Sequence, residues 1–150
     1  MRFLRLILTG TLAIATPPAW SQSCTVTTSA LEFSTYDLLS ALPTDAHGSV
    51  NVSCSSGTMY VIRLDAGSGG TAAFSPRQLT GDVSADALNY NIYVDAARTQ
   101  VFGDGTSGTV TVVGLGSGAT QIHQAYGRIP ARQKVGPGRY GDALAVSVDW

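Results

Sequence analysis

The chain has 150 residues, of which 44% are hydrophobic and 17 are glycine, and its formal net charge is −1. This composition is too apolar for a disordered chain and too rich in glycine for a helical bundle. Nine Lys and Arg against ten Asp and Glu exclude a strongly basic nucleic-acid-binding protein, and we expect no nucleic-acid partner.

The N-terminal residues have the organisation of a secretory signal peptide. Two arginines precede an uncharged apolar run at residues 6–15, and small residues stand at Ala19 and Ser21. This run is too short for a stable membrane anchor, because about 20 apolar residues are needed to span a bilayer. We therefore predict that residues 1–21 are a signal peptide and that residues 22–150 form one secreted domain.

Alternation of apolar and polar residues dominates the mature chain, and no stretch is typical of a helix. The predicted strands, in chain order, are residues 25–33, 49–54, 59–65, 88–95, 109–113, 122–129 and 141–150. In the fourth of these strands, the alternation predicts that Asn91 faces outwards, away from the core. In the last strand, Leu144, Val146, Val148 and Trp150 face one way. Seven short strands separated by glycine-rich turns predict an all-β fold, an antiparallel sandwich.

Two cysteines, Cys24 and Cys54, remain in a chain that is routed to an oxidising compartment. A pair in that setting is most simply a disulfide, here between the first and second predicted strands. Metal binding is the competing interpretation. It lacks ligands, because His47 and His123 do not have the spacing of a zinc site. We predict a structural disulfide, and no metal or cofactor.

Two features point towards enzymes, and both have simpler explanations. Residues 103–108 match the pattern G-x-G-x-x-G, but the dinucleotide-binding motif requires a helix after its glycines, and here a predicted strand follows. A hydrolase that uses His47 or His123 needs a nucleophile within reach, and the chain has no G-x-S-x-G motif. We predict that the protein has no catalytic residues and is not an enzyme.

Short motifs extend over nearly the whole mature chain. They are CTV at 24–26, VNVSC at 50–54, RQL at 77–79, LNYNIYVD at 88–95, VFGDG at 101–105, YGRIP at 126–130, Gln133 and GRYGD at 138–142. Their order and spacing resemble the spore coat protein U domain family, which includes subunits of the archaic (Csu-type) chaperone–usher pili.

The resemblance implies an immunoglobulin-like sandwich that lacks its last strand. In such pilus subunits a hydrophobic groove lies open beside the C-terminal strand. A periplasmic chaperone fills this groove during export, and a strand donated by a neighbouring pilus subunit fills it in the fibre. Carried over to this chain, the resemblance places the groove beside Leu144, Val146, Val148 and Trp150. It also implies an outer-membrane usher as a partner, passage through the periplasm, and a final location in a pilus at the cell surface.

Shaft subunits of this family carry a donor strand ahead of their first cysteine. In this chain, cleavage after Ser21 leaves only Gln22 and Ser23 before Cys24. We therefore expect a structural and adhesive subunit for biofilm attachment that accepts a strand and donates none. The alternative is a free-standing secreted coat protein or glycan-binding module.

Overall fold

The computed structural model describes residues 21–150, and the predicted signal peptide lies outside this part of the chain except for Ser21. The described residues form nine strands and no helix, so none of them lies in a helix that is long and apolar enough to cross a membrane. The strands are β1 Cys24–Ser29, β2 Thr44–Cys54, β3 Met59–Leu64, β4 Arg77–Gly81, β5 Ala87–Tyr93, β6 Val112–Leu115, β7 Thr120–Ile129, β8 Tyr140–Gly141 and β9 Val146–Asp149.

The strands form two sheets, one of six strands in the order β1-β2-β7-β5-β4-β8 and one of three in the order β6-β3-β9. All the strand pairs in both sheets are antiparallel. Alternate apolar side chains of both sheets meet in a common core, with contributions from β2, β3, β5 and β7. This arrangement confirms the predicted all-β sandwich.

Cys24 and Cys54 form a disulfide with their Cα atoms 4.1 Å apart. They stand directly opposite each other in the register of β1 and β2. The bridge therefore ties the first strand to the second, as predicted from the sequence.

Several predicted strand limits were wrong, and each has a tertiary cause. The first strand ends at Ser29 instead of residue 33, because the chain then turns inwards to contact the core. The start of the fifth predicted strand, at residue 109, also moves: the hydroxyl of Thr109 donates to the carbonyl oxygen of Thr106 in a turn, and the strand begins only at Val112. The last strand covers Val146–Asp149 alone, because Asp142 holds the preceding residues against a distant loop.

Strand β4 and the burial of Asn91 both escaped prediction, and one side chain accounts for both. Arg77, the first residue of β4, is completely buried. Its guanidinium donates to the carbonyl oxygen of Asp65 at 2.6 Å, to that of Phe102 at 2.8 Å and to Oδ1 of Asn91 at 2.9 Å. Burial lowers the pKa of Arg77, and these acceptors satisfy its donors in the absence of water.

Candidate functional site

Strand β9 is an edge strand of the smaller sheet. It pairs with β3 on one side, with Val146 opposite Leu64 and Val148 opposite Ile62. On its other side no strand of residues 21–150 is hydrogen-bonded to it. The backbone N–H and C=O groups on that side are therefore free to pair with another strand.

A large cleft lies beside β9, between the two sheets. Its volume is about 1250 Å³, and Leu144 and Val146 form part of one wall. Its floor consists of buried core side chains, namely Val50, Leu64, Leu79, Leu88, Tyr90, Ile92, Phe102, Ala125 and Ile129. An apolar floor under an unpaired strand edge is the arrangement that accepts an added strand, because alternate side chains of that strand enter the cleft.

The opposite wall is formed by residues 28–36, which are the end of β1 and the segment that follows it. Two glycines allow this segment to lie against the larger sheet. A Cβ atom at Gly48 would lie 3.2 Å from Cβ of Leu31, and one at Gly127 would lie 2.6 Å from Leu31 Cδ2 and 2.8 Å from Phe33 Cζ. Phe33 also packs edge-on against Tyr90, with the ring centroids 6.0 Å apart. Side chains larger than hydrogen at either glycine would push this wall away from the sheet.

Tyr36 fastens the end of the same wall. Its hydroxyl donates to the carbonyl oxygen of Pro130 and accepts from the backbone N–H of Gln133, both at 2.8 Å. The Gln133 side chain in turn exchanges two hydrogen bonds of 2.8 Å with the backbone of Asn89 in β5. The wall is thus connected to the larger sheet through three residues that are distant in sequence.

Asp142 positions the chain that leads into β9. Its carboxylate accepts hydrogen bonds from the backbone of Ser68 at 2.8 Å, from the backbone of Gly69 at 2.7 Å and from the hydroxyl of Tyr90 at 2.7 Å. Burial, and then the bond to Asp142, raises the pKa of Tyr90. A Cβ atom at Gly69 would overlap the carbonyl oxygen of Gln78, so the loop at 67–70 approaches the sheet closely only because it is rich in glycine.

The sequence analysis placed Leu144, Val146, Val148 and Trp150 beside the groove. Leu144 and Val146 line the cleft, whereas Val148 and Trp150 are not part of its lining. Leu144, Val146 and Val148 are half-buried and pack against the core. Trp150 follows the end of β9 and is 58% exposed. The sequence analysis did not include residues 30–36, which end at Tyr36, or Asp142 in the site. The apolar pair Leu31 and Phe33 was the available signal.

The residues considered for catalysis lie elsewhere. His123 Nε2 is 2.8 Å from the hydroxyl of Tyr60, and burial lowers the pKa of this imidazole. His47 packs edge-on against Tyr126, with the ring centroids 5.4 Å apart. Residues 103–108 form a turn, in which Gly105 and Gly108 have positive φ values of 91° and 78°. Within residues 21–150, no group of three His, Cys, Asp or Glu side chains is placed to hold a metal ion.

Comparisons with known proteins agree with this architecture. The sequence model of the Spore Coat Protein U domain matches residues 8–147. "Protein U" of Myxococcus xanthus is 36% identical over 127 residues, which cover 79% of this chain and 70% of that protein.

Among solved structures, a chain of the CsuC–CsuE chaperone–tip adhesion subunit pre-assembly complex, from the archaic chaperone–usher Csu pili of Acinetobacter baumannii, has the same fold. The TM-score is 0.63 at 19% identity, and the match covers 86% of this chain but only 40% of that chain's length. The minor tip subunit HdaB of the E. coli Hda pilus gives a TM-score of 0.41 at 16% identity, over 83% of this chain and 79% of that one. From the extent of the sequence matches, the chain belongs to the Spore Coat Protein U domain family.

Proposed function

We propose that this protein is a secreted structural and adhesive subunit of a chaperone–usher-type surface fibre, and that the cleft beside β9 accepts a strand from another protein. The unpaired edge of β9 above an apolar floor is the observation that carries the proposal. The role is one of assembly, and we assign no catalytic step to it.

The physical argument is that the empty cleft is a poor end state for a folded protein. At about 30 Å³ per molecule, a cleft of 1250 Å³ holds on the order of 40 waters against an apolar floor. An added strand replaces these waters with apolar side chains and pairs with the free backbone groups of β9. It also covers an exposed edge, which is otherwise a template for aggregation.

The proposed partners are those that the family resemblance implies. A periplasmic chaperone supplies the strand during export, an outer-membrane usher receives the complex, and a neighbouring subunit supplies the strand in the fibre. The fold shared with a chain of a chaperone–subunit complex supports this proposal. An acceptor-only position at the end of a fibre rests on the predicted cleavage after Ser21. Labelled protein that is regularly spaced along fibre shafts would contradict that position.

A strand fused after Trp150 tests the accepting role. The fusion adds a two-residue Asn-Gly turn and eight residues of alternating Val and Thr, so that the new strand runs antiparallel to β9. We expect the fused protein to be a stable monomer without any chaperone, with a higher midpoint of unfolding in guanidinium chloride than the unfused chain. The control carries Ser in place of each added Val.

Two results would contradict the proposal. One is an unfused mature chain that purifies without chaperone as a soluble monomer and resists guanidinium chloride as well as the Val-containing fusion does. The other is a Val-containing fusion that is no more stable than its Ser control. The first result would favour the alternative of a free-standing coat protein, for which the family description is the supporting observation.

A further inference from the structure

The outer face of the larger sheet, on the side away from the cleft, carries a compact group of aromatic and charged side chains. Two rows cross neighbouring strands: Asp45 lies opposite Arg128, and His47 lies opposite Tyr126, which in turn lies opposite Tyr93. Arg98 joins them from the loop after β5. We call these six residues the Arg128 face. Ala46, between Asp45 and His47, is buried, and so is Gly127, between Tyr126 and Arg128, so the face is directed outwards.

Two guanidinium groups share one carboxylate on this face. Arg128 Nε and Nη2 donate to the two oxygens of Asp45 at 2.7 and 2.8 Å, and Arg98 Nη2 lies 3.2 Å from Oδ2 of the same residue. The hydrogen bond from Arg128 holds the pKa of Asp45 below its usual range. One positive charge is therefore in excess. Of the five N–H groups of Arg128, the bonds to Asp45 use two, and its side chain is 36% exposed.

Arg98 is held in place before any ligand arrives. Its backbone has a φ of 58°, a left-handed conformation that is uncommon for a residue with a side chain. The guanidinium donates to the carbonyl oxygen of Ala96 at 3.0 Å and to that of Gly127 at 3.4 Å, and it lies 5.9 Å from the ring centroid of Tyr126. These contacts order the charged end of the face together with its aromatic row, which favours recognition over simple solubility.

The chemistry of the face selects one class of ligand. An arginine with free N–H groups recognises a planar carboxylate, and tyrosine rings offer flat apolar surfaces with a polar end. The same sheet face continues into neutral hydrogen-bonding side chains, among them Ser49 and Gln124. A polyphosphate or nucleic acid requires many cations, and a single excess charge does not meet that need. We propose that the Arg128 face binds a carboxylate-bearing sugar, as found in acidic polysaccharides.

This proposal goes beyond strand acceptance and does not depend on it, because the face lies on the opposite side of the sheet from the cleft. The test measures binding of the full chain, exported and purified from the periplasm, to polygalacturonate. Fully methyl-esterified polygalacturonate and dextran sulfate are the comparison polymers. Arg128→Gln and Tyr93→Ala probe the face, while Arg63→Gln is the matched control, because Arg63 is also a strand arginine paired with a surface aspartate, Asp149.

We expect binding to polygalacturonate and not to its methyl ester. Arg128→Gln is expected to weaken binding about tenfold or more, as the loss of a charge-assisted hydrogen bond predicts. Asp45→Asn is expected to strengthen binding, because it weakens the hold on the N–H groups of Arg128 and removes a negative charge from the face. Tyr93→Ala weakens binding without changing the charge, and Arg63→Gln leaves it unchanged. Circular dichroism and thermal melting establish that each variant is folded.

Four outcomes would overturn the assignment. They are no binding to polygalacturonate, equal binding to the methyl ester, stronger binding to dextran sulfate, and equal losses for Arg128→Gln and Arg63→Gln. If Asp45→Asn weakens binding as much as Arg128→Gln does, the ion pair only supports the sheet. A folded Tyr93→Ala protein with unchanged affinity would show that the aromatic row takes no part.

Discussion

A carboxylate introduced at Val146 tests the cleft directly, because its cost depends on whether a strand fills the cleft. Val146 is half-buried, lies opposite Leu64 and lines the cleft. In the open protein, Val146→Asp loses part of one apolar contact, about 1 kcal/mol, and the charge stays hydrated. With a strand in place, the same carboxylate is enclosed by apolar side chains, which costs about 3–5 kcal/mol.

The matched control is Ser147→Asp, one residue further along β9. Ser147 is exposed and lies opposite Arg63, so the same charge on the same strand should change stability by less than about 0.5 kcal/mol. The cost of Val146→Asp is therefore about 2–4 kcal/mol greater in the filled cleft than in the open one. This difference corresponds to a roughly 30- to 1000-fold weaker strand capture by the Val146 variant.

The assay is guanidinium unfolding of four proteins: each variant with and without the Val/Thr strand fused after Trp150. Linear extrapolation gives the free energy of unfolding of each protein. We expect Val146→Asp to remove most of the stability that the fused strand adds, and Ser147→Asp to remove none of it. If Val146→Asp costs the same in both backgrounds, or if both variants behave alike, the added strand does not lie in this cleft.

Three further predictions concern the framework around the cleft. Replacement of Cys24 by Ser should lower the free energy of unfolding by about 2–5 kcal/mol, while the unaltered exported protein should show no thiol to an alkylating reagent. Tyr36→Phe should cost about 1–2 kcal/mol in the same unfolding assay, because the backbone N–H of Gln133 loses its acceptor and the carbonyl oxygen of Pro130 loses its donor; an unchanged stability would show that Tyr36 does not fasten the wall. The pKa of Tyr90 is raised in the folded state, so the folded protein keeps a proton that the unfolded chain releases above about pH 10. Stability should therefore fall as the pH rises beyond that value, and a Tyr90→Phe variant should show a shallower fall.

The strands that the sequence predicted best are those with one buried face. In β2, β3 and β5, residues such as Val52, Ile62 and Leu88 alternate with more exposed positions, and the core lies where the alternation placed it. The disulfide was equally predictable, because the chain has only two cysteines and export favours their pairing. Strand β4 was missed because its first residue, Arg77, is a buried charge whose acceptors lie on other parts of the chain.

The sequence by itself determined the all-β class, the pairing of Cys24 with Cys54 and, apart from Trp150, the inward residues of the last strand, since each depends on local alternation or on a count of residues. The tertiary structure alone decided the shape of the cleft. Its far wall exists because Gly48 and Gly127, on two different strands, leave room for Leu31. A cleft is a space between segments that are remote along the chain, and its walls depend on contacts that no local pattern specifies.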